Sequence, residues 1–306
     1  MTIAFLFPGQ GAQTTGFLHR LPAHPAVQAT LAEAGAVLGR DVLELDTEDA
    51  LRSTVAVQLA SLVAGVAVAR ALVADGVAPD AVAGLSSGAY TAAVACGALT
   101  LAQALPLLQL RGQLMERAYP RGYGLLALVG LTEGRVRTLV AALHTPAQPL
   151  YLANLNAPTQ IVLAGSDQAL AAAQVAARAA GARTAHRMAV SVPSHCVLMD
   201  SVATALTAAL AAIPIQDARI PYIGNVRGRA LRAGADIGAD LANNVAHAVR
   251  WQDATTVLYE MGMRAYFEMP PGTVLTGLAQ DSLPDVVARS LDNTPLATIV
   301  YLAQRA

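Results

Sequence analysis

Short apolar runs and longer helical stripes alternate along this chain. Ile3 to Phe7 is a continuous apolar run that stops at Pro8, which predicts a strand buried on both faces. A Gly/Gln loop follows. Val55 to Ala74 is too long for a strand and predicts a helix. Ala81 to Leu85 is a second short run, ending in GLSSG, with a helix expected from about Ala89. A further helix is predicted over Leu101 to Ala118, with Thr100 as its cap. This is the rhythm of a parallel sheet covered by helices, an α/β architecture.

The texture changes near Gly122. The pattern then predicts strand (Leu125 to Val129), helix (Glu133 to Leu143), strand (Tyr151 to Leu155), strand (Ile161 to Ala164), helix (Gln168 to Ala180) and strand (Ala185 to Met188). The order βαββαβ is that of a ferredoxin-like unit. Residues 123–191 are therefore expected to form a small inserted subdomain, with 1–122 and 192–306 making the larger core. The larger pattern resumes with a helix from about Val197 to Ala212, strands near Ile220 to Ile223 and Ala265 to Glu268, and helices between. No tandem repeat interrupts it.

Composition narrows the function. The 306 residues are 55% hydrophobic and only 13% charged, with a net charge of -1. That suffices for a large core or two domains and lacks the basic excess of a nucleic-acid binder. All twenty basic residues are Arg. Without lysine there is no Schiff-base lysine for pyridoxal phosphate and no P-loop. Cys96 and Cys196 stand far apart, and no Cys or His pair has zinc spacing, so reduced thiols, no metal and a cytoplasmic setting are expected. The N-terminal run has no basic leader and reads as a strand, not a signal peptide. The most membrane-like stretch, Leu59 to Ala69, falls short of the ~20 residues that span a bilayer and reads as a buried helix.

Chemistry concentrates at Gly84-Leu85-Ser86-Ser87-Gly88. A strand before and a helix after give it the context of a nucleophile elbow, which lifts a serine hydroxyl above the sheet beside a helix N-terminus. A plain Gly/Ser turn reads the same way, and GxSxG alone divides about evenly between the two. The spacing favours Ser86 as nucleophile over Ser87. A serine needs a base. His195, in SVPSHC where the inserted unit returns to the core, is one candidate, with Pro193 expected to end a strand there. His247 is a rival. No Asp stands out as a third member, so a dyad oriented by a backbone or amide carbonyl is expected. Arg111 falls on or beside the apolar stripe of its helix. It either clamps a carboxylate or serves the fold, by snorkelling or by pairing with Glu116 or Glu133. Gly9-Gln10-Gly11 can supply oxyanion N–H groups. It is no dinucleotide loop, because Thr14 replaces the third glycine.

In combination these residues resemble the malonyl-CoA:acyl-carrier-protein transacylase family. The likeness runs from FLFPGQGAQ (Phe5 to Gln13) through AGLSSGAY, RGQLM, NAPTQIVLAG, VPSHC and NNVAHAVRW to PPGTVLTGL (Pro270 to Leu278). It implies an α/β-hydrolase-like core with an inserted ferredoxin-like domain. It implies Ser86 as the acylated nucleophile, His195 as its base and Arg111 as the ligand of the malonate carboxylate. Gln10 and Ser87 match the oxyanion-hole positions, Asn244 an amide whose carbonyl orients the histidine, and Gln58 a second amide lining the pocket. It implies malonyl-CoA as substrate, no tightly bound cofactor, and an acyl carrier protein as partner, with no nucleic acid and no membrane.

The elbow departs from the family. Fatty-acid-synthesis members usually read GHSLGE, where this chain has Leu85 for His, Ser87 for Leu and Ala89 for Glu. In this it looks more like the malonyltransferase (epsilon) subunit of bacterial malonate decarboxylase, which loads a carrier subunit bearing a phosphoribosyl-dephospho-CoA arm. The rivals are a fatty-acid or polyketide malonyltransferase, a serine esterase or thioesterase, and a non-catalytic scaffold.

Overall fold

The computed structural model describes residues 2–305. The chain enters on β1 (Ile3–Phe7), all five residues buried, as an apolar run without alternation requires. Helix α1 (Pro25–Leu38) starts on a proline, is capped by His24 and ends at a left-handed Gly39. Helix α2 (Thr54–Ala74) has no polar face, so it must be enclosed. At 21 residues it is the one helix among the described residues long and apolar enough to cross a bilayer, longer than the expected apolar segment. It lies instead inside the fold, packed on α1 and on the helices that follow. These are α3 (Gly88–Ala95), reached through β2 (Ala81–Gly84), and α4 (Leu101–Ala118), opened by a Thr100–Gln103 capping box. Gly112 allows α4 to come close to α2, since a Cβ there would lie 2.9 Å from the Val55 Cα.

The small sheet follows as β3 (Tyr123–Val129), α5 (Glu133–Leu143), β4 (Leu150–Ala157), β5 (Gln160–Ser166), α6 (Asp167–Ala179) and β6 (Thr184–Arg187). It is antiparallel with spatial order β4-β5-β3-β6, the ferredoxin-like arrangement. One face packs Leu126, Leu128, Ile161 and Leu163 against Ala169 and Leu170 of α6. The other gathers Leu125, Ala153, Val162 and Ala164 with Cys196 of the larger body. Val249 ties β4 to that body by backbone bonds of 2.8 Å with Ala153 and with Leu155.

The chain continues through α7 (Asp200–Ala211), β7 (Tyr222–Ile223), β8 (Ala230–Leu231), α8 (Gly234–Asn243), α9 (Trp251–Glu260), β9 (Ala265–Glu268), α10 (Val274–Ser282), β10 (Val287–Ser290) and α11 (Leu296–Arg305). Two details differ from expectation. No strand precedes Pro193, because β6 ends at Arg187 and the segment to His195 is irregular. The helix expected from Val197 is a 3-10 turn first, and α7 proper starts at Asp200.

The large sheet has the order β10-β9-β1-β2-β7-β8, parallel except for β8. Phe7 lies opposite Gly84, and Ala83 opposite Ile223. The loops after β1, β2 and β7 therefore leave the same edge side by side. That is the carboxyl edge, where open α/β sheets place their ligands.

Candidate active site

Ser86 sits at the turn between β2 and α3 with φ of 58°, a left-handed conformation uncommon for a side chain with a Cβ. The turn is so tight that a Cβ on Gly84 would lie 2.0 Å from the Gly88 carbonyl oxygen. His195 is also left-handed, at φ of 68°. Among the described residues Asp285 is the only other non-glycine with positive φ, so two of the three such residues are the candidate reactive ones.

A cleft of about 160 Å³ lies over the sheet edge. Gln10, Ser86, Ser87, Arg111 and His195 all line it, so five of the seven expected site residues converge on one space. Gln58 and Asn244 are not on its wall. They stand behind Arg111, 1% and 0% exposed, and orient it. Arg111 donates to Gln58 Oε1 at 2.8 Å, to Ser86 Oγ at 3.2 Å and to Asn244 Oδ1 at 3.4 Å. The close approach of α4 to α2 is what puts Arg111 and Gln58 in contact.

Arg111 is itself only 1% exposed, and none of its partners is an acid. Glu116 instead accepts from Ser53 Oγ and the Val55 N–H, and Glu133 pairs with Arg137. Both structural partners open to Arg111 from sequence are thus occupied elsewhere. Burial lowers its pKa, but a guanidinium keeps its proton. The result is a buried cation facing a cleft with its Nε also unpartnered. Such a charge is costly unless an anion meets it.

His195 Nδ1 lies 2.6 Å from the backbone carbonyl oxygen of Asn244. A carbonyl only accepts, so Nδ1 carries the proton and Nε2 keeps its lone pair. The orienting group is the main-chain carbonyl, while the Asn244 amide serves Arg111 and donates to the Ser86 carbonyl at 3.4 Å. His195 is 3% exposed, more enclosed than a cleft-edge loop suggests. Burial, with the nearby Arg111 charge, pushes its pKa down to about 3, partly opposed by the Asn244 hydrogen bond. The imidazole is therefore neutral at pH 7 and able to take a proton. His247 is exposed and bonds only within its own turn, to the Asn243 carbonyl at 3.0 Å.

The Ser86 N–H is already engaged, donating to Asn225 Oδ1 at 2.8 Å. The N–H groups of Gln10 and Ser87 meet no internal acceptor among the described residues, which leaves them free for an oxyanion. Asn225 went unnoticed in the sequence. No local pattern marks it, because its partners lie about 140 positions away.

A half-buried serine hydroxyl, a neutral imidazole, free N–H groups and a parallel sheet beneath them are the equipment of an α/β enzyme that moves acyl groups through a serine. The chain belongs to the acyl transferase domain family, which matches residues 4–305. It is 36% identical over 305 residues to the malonyl CoA-acyl carrier protein transacylase of Escherichia coli (strain K12), covering 98% of each chain. Its fold matches the acyl-carrier-protein S-malonyltransferase of Burkholderia pseudomallei with a TM-score of 0.93 at 33% identity, covering 98% of this chain and 100% of that one. It matches equally, at 0.93 and 35% identity, a malonyl-transacylase solved in complex with a type II polyketide acyl-carrier protein, covering 99% and 100%.

Proposed function

We propose that this protein moves a malonyl group from malonyl-CoA to the thiol arm of an acyl carrier protein by way of a malonyl ester on Ser86. The observation that carries the reading is Arg111, a buried guanidinium without an acid partner, 3.2 Å from Ser86 Oγ. It selects an acyl group that ends in a carboxylate.

In this mechanism His195 Nε2 takes the Ser86 hydroxyl proton as Oγ attacks the thioester carbonyl. The Gln10 and Ser87 N–H groups hold the oxyanion. The C–S bond breaks, and the departing thiolate takes the proton from His195, giving free coenzyme A. The carrier thiol then gives its proton to His195 and attacks the malonyl ester. Ser86 leaves and recovers the proton. No cofactor takes part, and the prosthetic arm belongs to the carrier. All these residues come from 1–122 and 192–306, which we assign as the catalytic core, with 123–191 as a subdomain closing one side of the cleft.

For the acceptor we favour the carrier subunit of malonate decarboxylase, on the strength of Leu85, Ser87 and Ala89 at the elbow. The names of the relatives speak instead for an acyl carrier protein, in one case a type II polyketide carrier, and a fatty-acid or polyketide carrier is the alternative acceptor. Offering the malonylated protein both carriers decides: preferential loading of a phosphopantetheine carrier would overturn the malonate decarboxylase assignment. A thioesterase would release free malonate without either carrier.

Arg111→Ala tests the substrate class. It removes a charge-assisted contact worth about 1.5–3 kcal/mol, roughly a ten- to hundredfold loss in malonyl transfer. Acetyl transfer has no carboxylate to lose and should be spared. Comparing kcat/KM for malonyl-CoA and acetyl-CoA checks this, and parallel losses on both would leave Arg111 a purely structural residue.

A further inference from the structure

We propose that Asn225 is a positioning residue, a side-chain clamp that fixes Ser86 in its left-handed turn and so sets the rate of acylation. The proposal rests on the reading of Ser86 as the acylated serine.

The geometry is specific. Asn225 Oδ1 accepts from the Ser86 N–H at 2.8 Å, and Nδ2 of the same amide donates to the Gly84 carbonyl at 2.8 Å. One planar group thus grips the chain on both sides of Leu85, as a neighbouring strand would if β7 ran on. It cannot, because β7 is only two residues long. The clamp is itself anchored. The Asn225 N–H donates to Asp240 Oδ2 at 3.0 Å, and the Val226 N–H to Asp240 Oδ1 at 2.9 Å. Tyr222 Oη donates to Asp240 Oδ2 at 2.9 Å, and the Asn225 carbonyl accepts from the Arg250 N–H at 2.9 Å. Asn225 is 3% and Asp240 7% exposed, so neither has water to fall back on.

The clamp has two consequences for the chemistry. It holds a strained φ that the serine would not keep unaided. It also engages the Ser86 N–H, leaving the oxyanion to Gln10 and Ser87. Asn225 lies outside the cleft lining, so it acts through Ser86 and not on the substrate. Losing it should lower the rate constant for acylation and leave binding of malonyl-CoA almost unchanged.

Asn225→Asp gives a readout that a merely structural role would not move. As a carboxylate, the new side chain still accepts from the Ser86 N–H but turns a lone pair on the Gly84 carbonyl. As a carboxylic acid it regains an O–H donor for that carbonyl and mimics the amide. The other titratable groups around it are Asp240 and Tyr222 on the anchoring side, His247 beyond Asp240, and Arg111 and His195 across Ser86. All are present in the parent, so the parent profile serves as reference.

The experiment is single-turnover malonylation of the full-length protein by malonyl-CoA, read by intact mass, with Tm recorded alongside. At mildly alkaline pH, Asn225→Asp should acylate at least about tenfold more slowly with KM little changed. Relative to the parent, its rate should recover as pH falls into the mildly acidic range. A folded Asn225→Asp that acylates at the parental rate, or a loss without acid recovery, overturns the clamp. If Asn225→Asp does not fold, Asn225→Ser, which adds no charge, is read for the same loss of rate at constant KM. A parental rate in that variant overturns the proposal. Peptide mapping of the labelled parent separates the two readings: malonyl on a residue other than Ser86 sinks the nucleophile assignment itself.

Discussion

Ser86→Ala is expected to take up no malonyl group from malonyl-CoA, whereas the parent protein gains one malonyl mass. The hydroxyl is the nucleophile of the proposed mechanism, and no other group takes its place. Cys196, the nearest thiol in sequence to His195, is buried, with its pKa pushed up to about 12 by that burial, so it remains an unreactive thiol. Intact-protein mass spectrometry decides the matter, and equal labelling of the variant would move the nucleophile elsewhere. Stability separates the chemistry from the backbone strain. At φ of 58° a residue with a Cβ is held in a conformation that glycine adopts freely. Ser86→Gly should therefore be equally inactive yet more stable than Ser86→Ala, by about 1 kcal/mol, measured by denaturant unfolding.

His195→Ala should lose about 10²–10⁴-fold in acylation rate, the usual cost of removing a general base. The structure adds a cost in stability that a loop histidine would not carry. The imidazole is buried, and its removal leaves the Asn244 carbonyl without its 2.6 Å donor, a loss of about 1–3 kcal/mol. His247→Ala should change neither quantity, since that side chain is exposed and bonds only within its own turn. If His247→Ala shows the loss and His195→Ala does not, the base has been misassigned. The depressed pKa of His195 also sets a pH signature. Between its folded value of about 3 and the ordinary histidine value near 6.5, the unfolded chain binds a proton that the native protein does not. Its contribution to stability is therefore intact above pH about 6.5, falls as pH drops, and levels off near pH 3. In His195→Ala this part of the slope should be missing from the stability-versus-pH curve. Acylation by the parent should correspondingly persist below the pH at which an ordinary histidine base would be protonated.

The legible part of this protein is the part written in local pattern. The apolar run of Ile3 to Phe7, the stripe of Leu101 to Ala118 with its Thr100 cap, and the βαββαβ order after Gly122 each follow from periodicity and turn chemistry. The structure has these elements with ends moved by a residue or two. The strands not anticipated are β8 and β10, both at the edges of the large sheet, where short segments carry little pattern of their own. The strand expected to end at Pro193 is absent, and the segment runs irregular from β6 to His195.

Local pattern alone carries the class of fold and the strand–GLSSG–helix order around Ser86, and it puts Arg111 on or beside the apolar stripe of its helix. It could not determine what Arg111 meets there. A helical stripe says which side faces inward, while the partner is set by packing, here Gln58 from α2, Ser86 from the elbow and Asn244 from beyond α8. The group that orients His195 is a backbone carbonyl, which every residue possesses and no residue type announces. Asn225 reaches Ser86 only because β2 and β7 pair in parallel register, a contact across 139 positions that no local propensity encodes. Local periodicity fixes elements because its causes lie within a few residues. The site was decided by tertiary structure because its hydrogen bonds join groups that only the closed fold brings within reach.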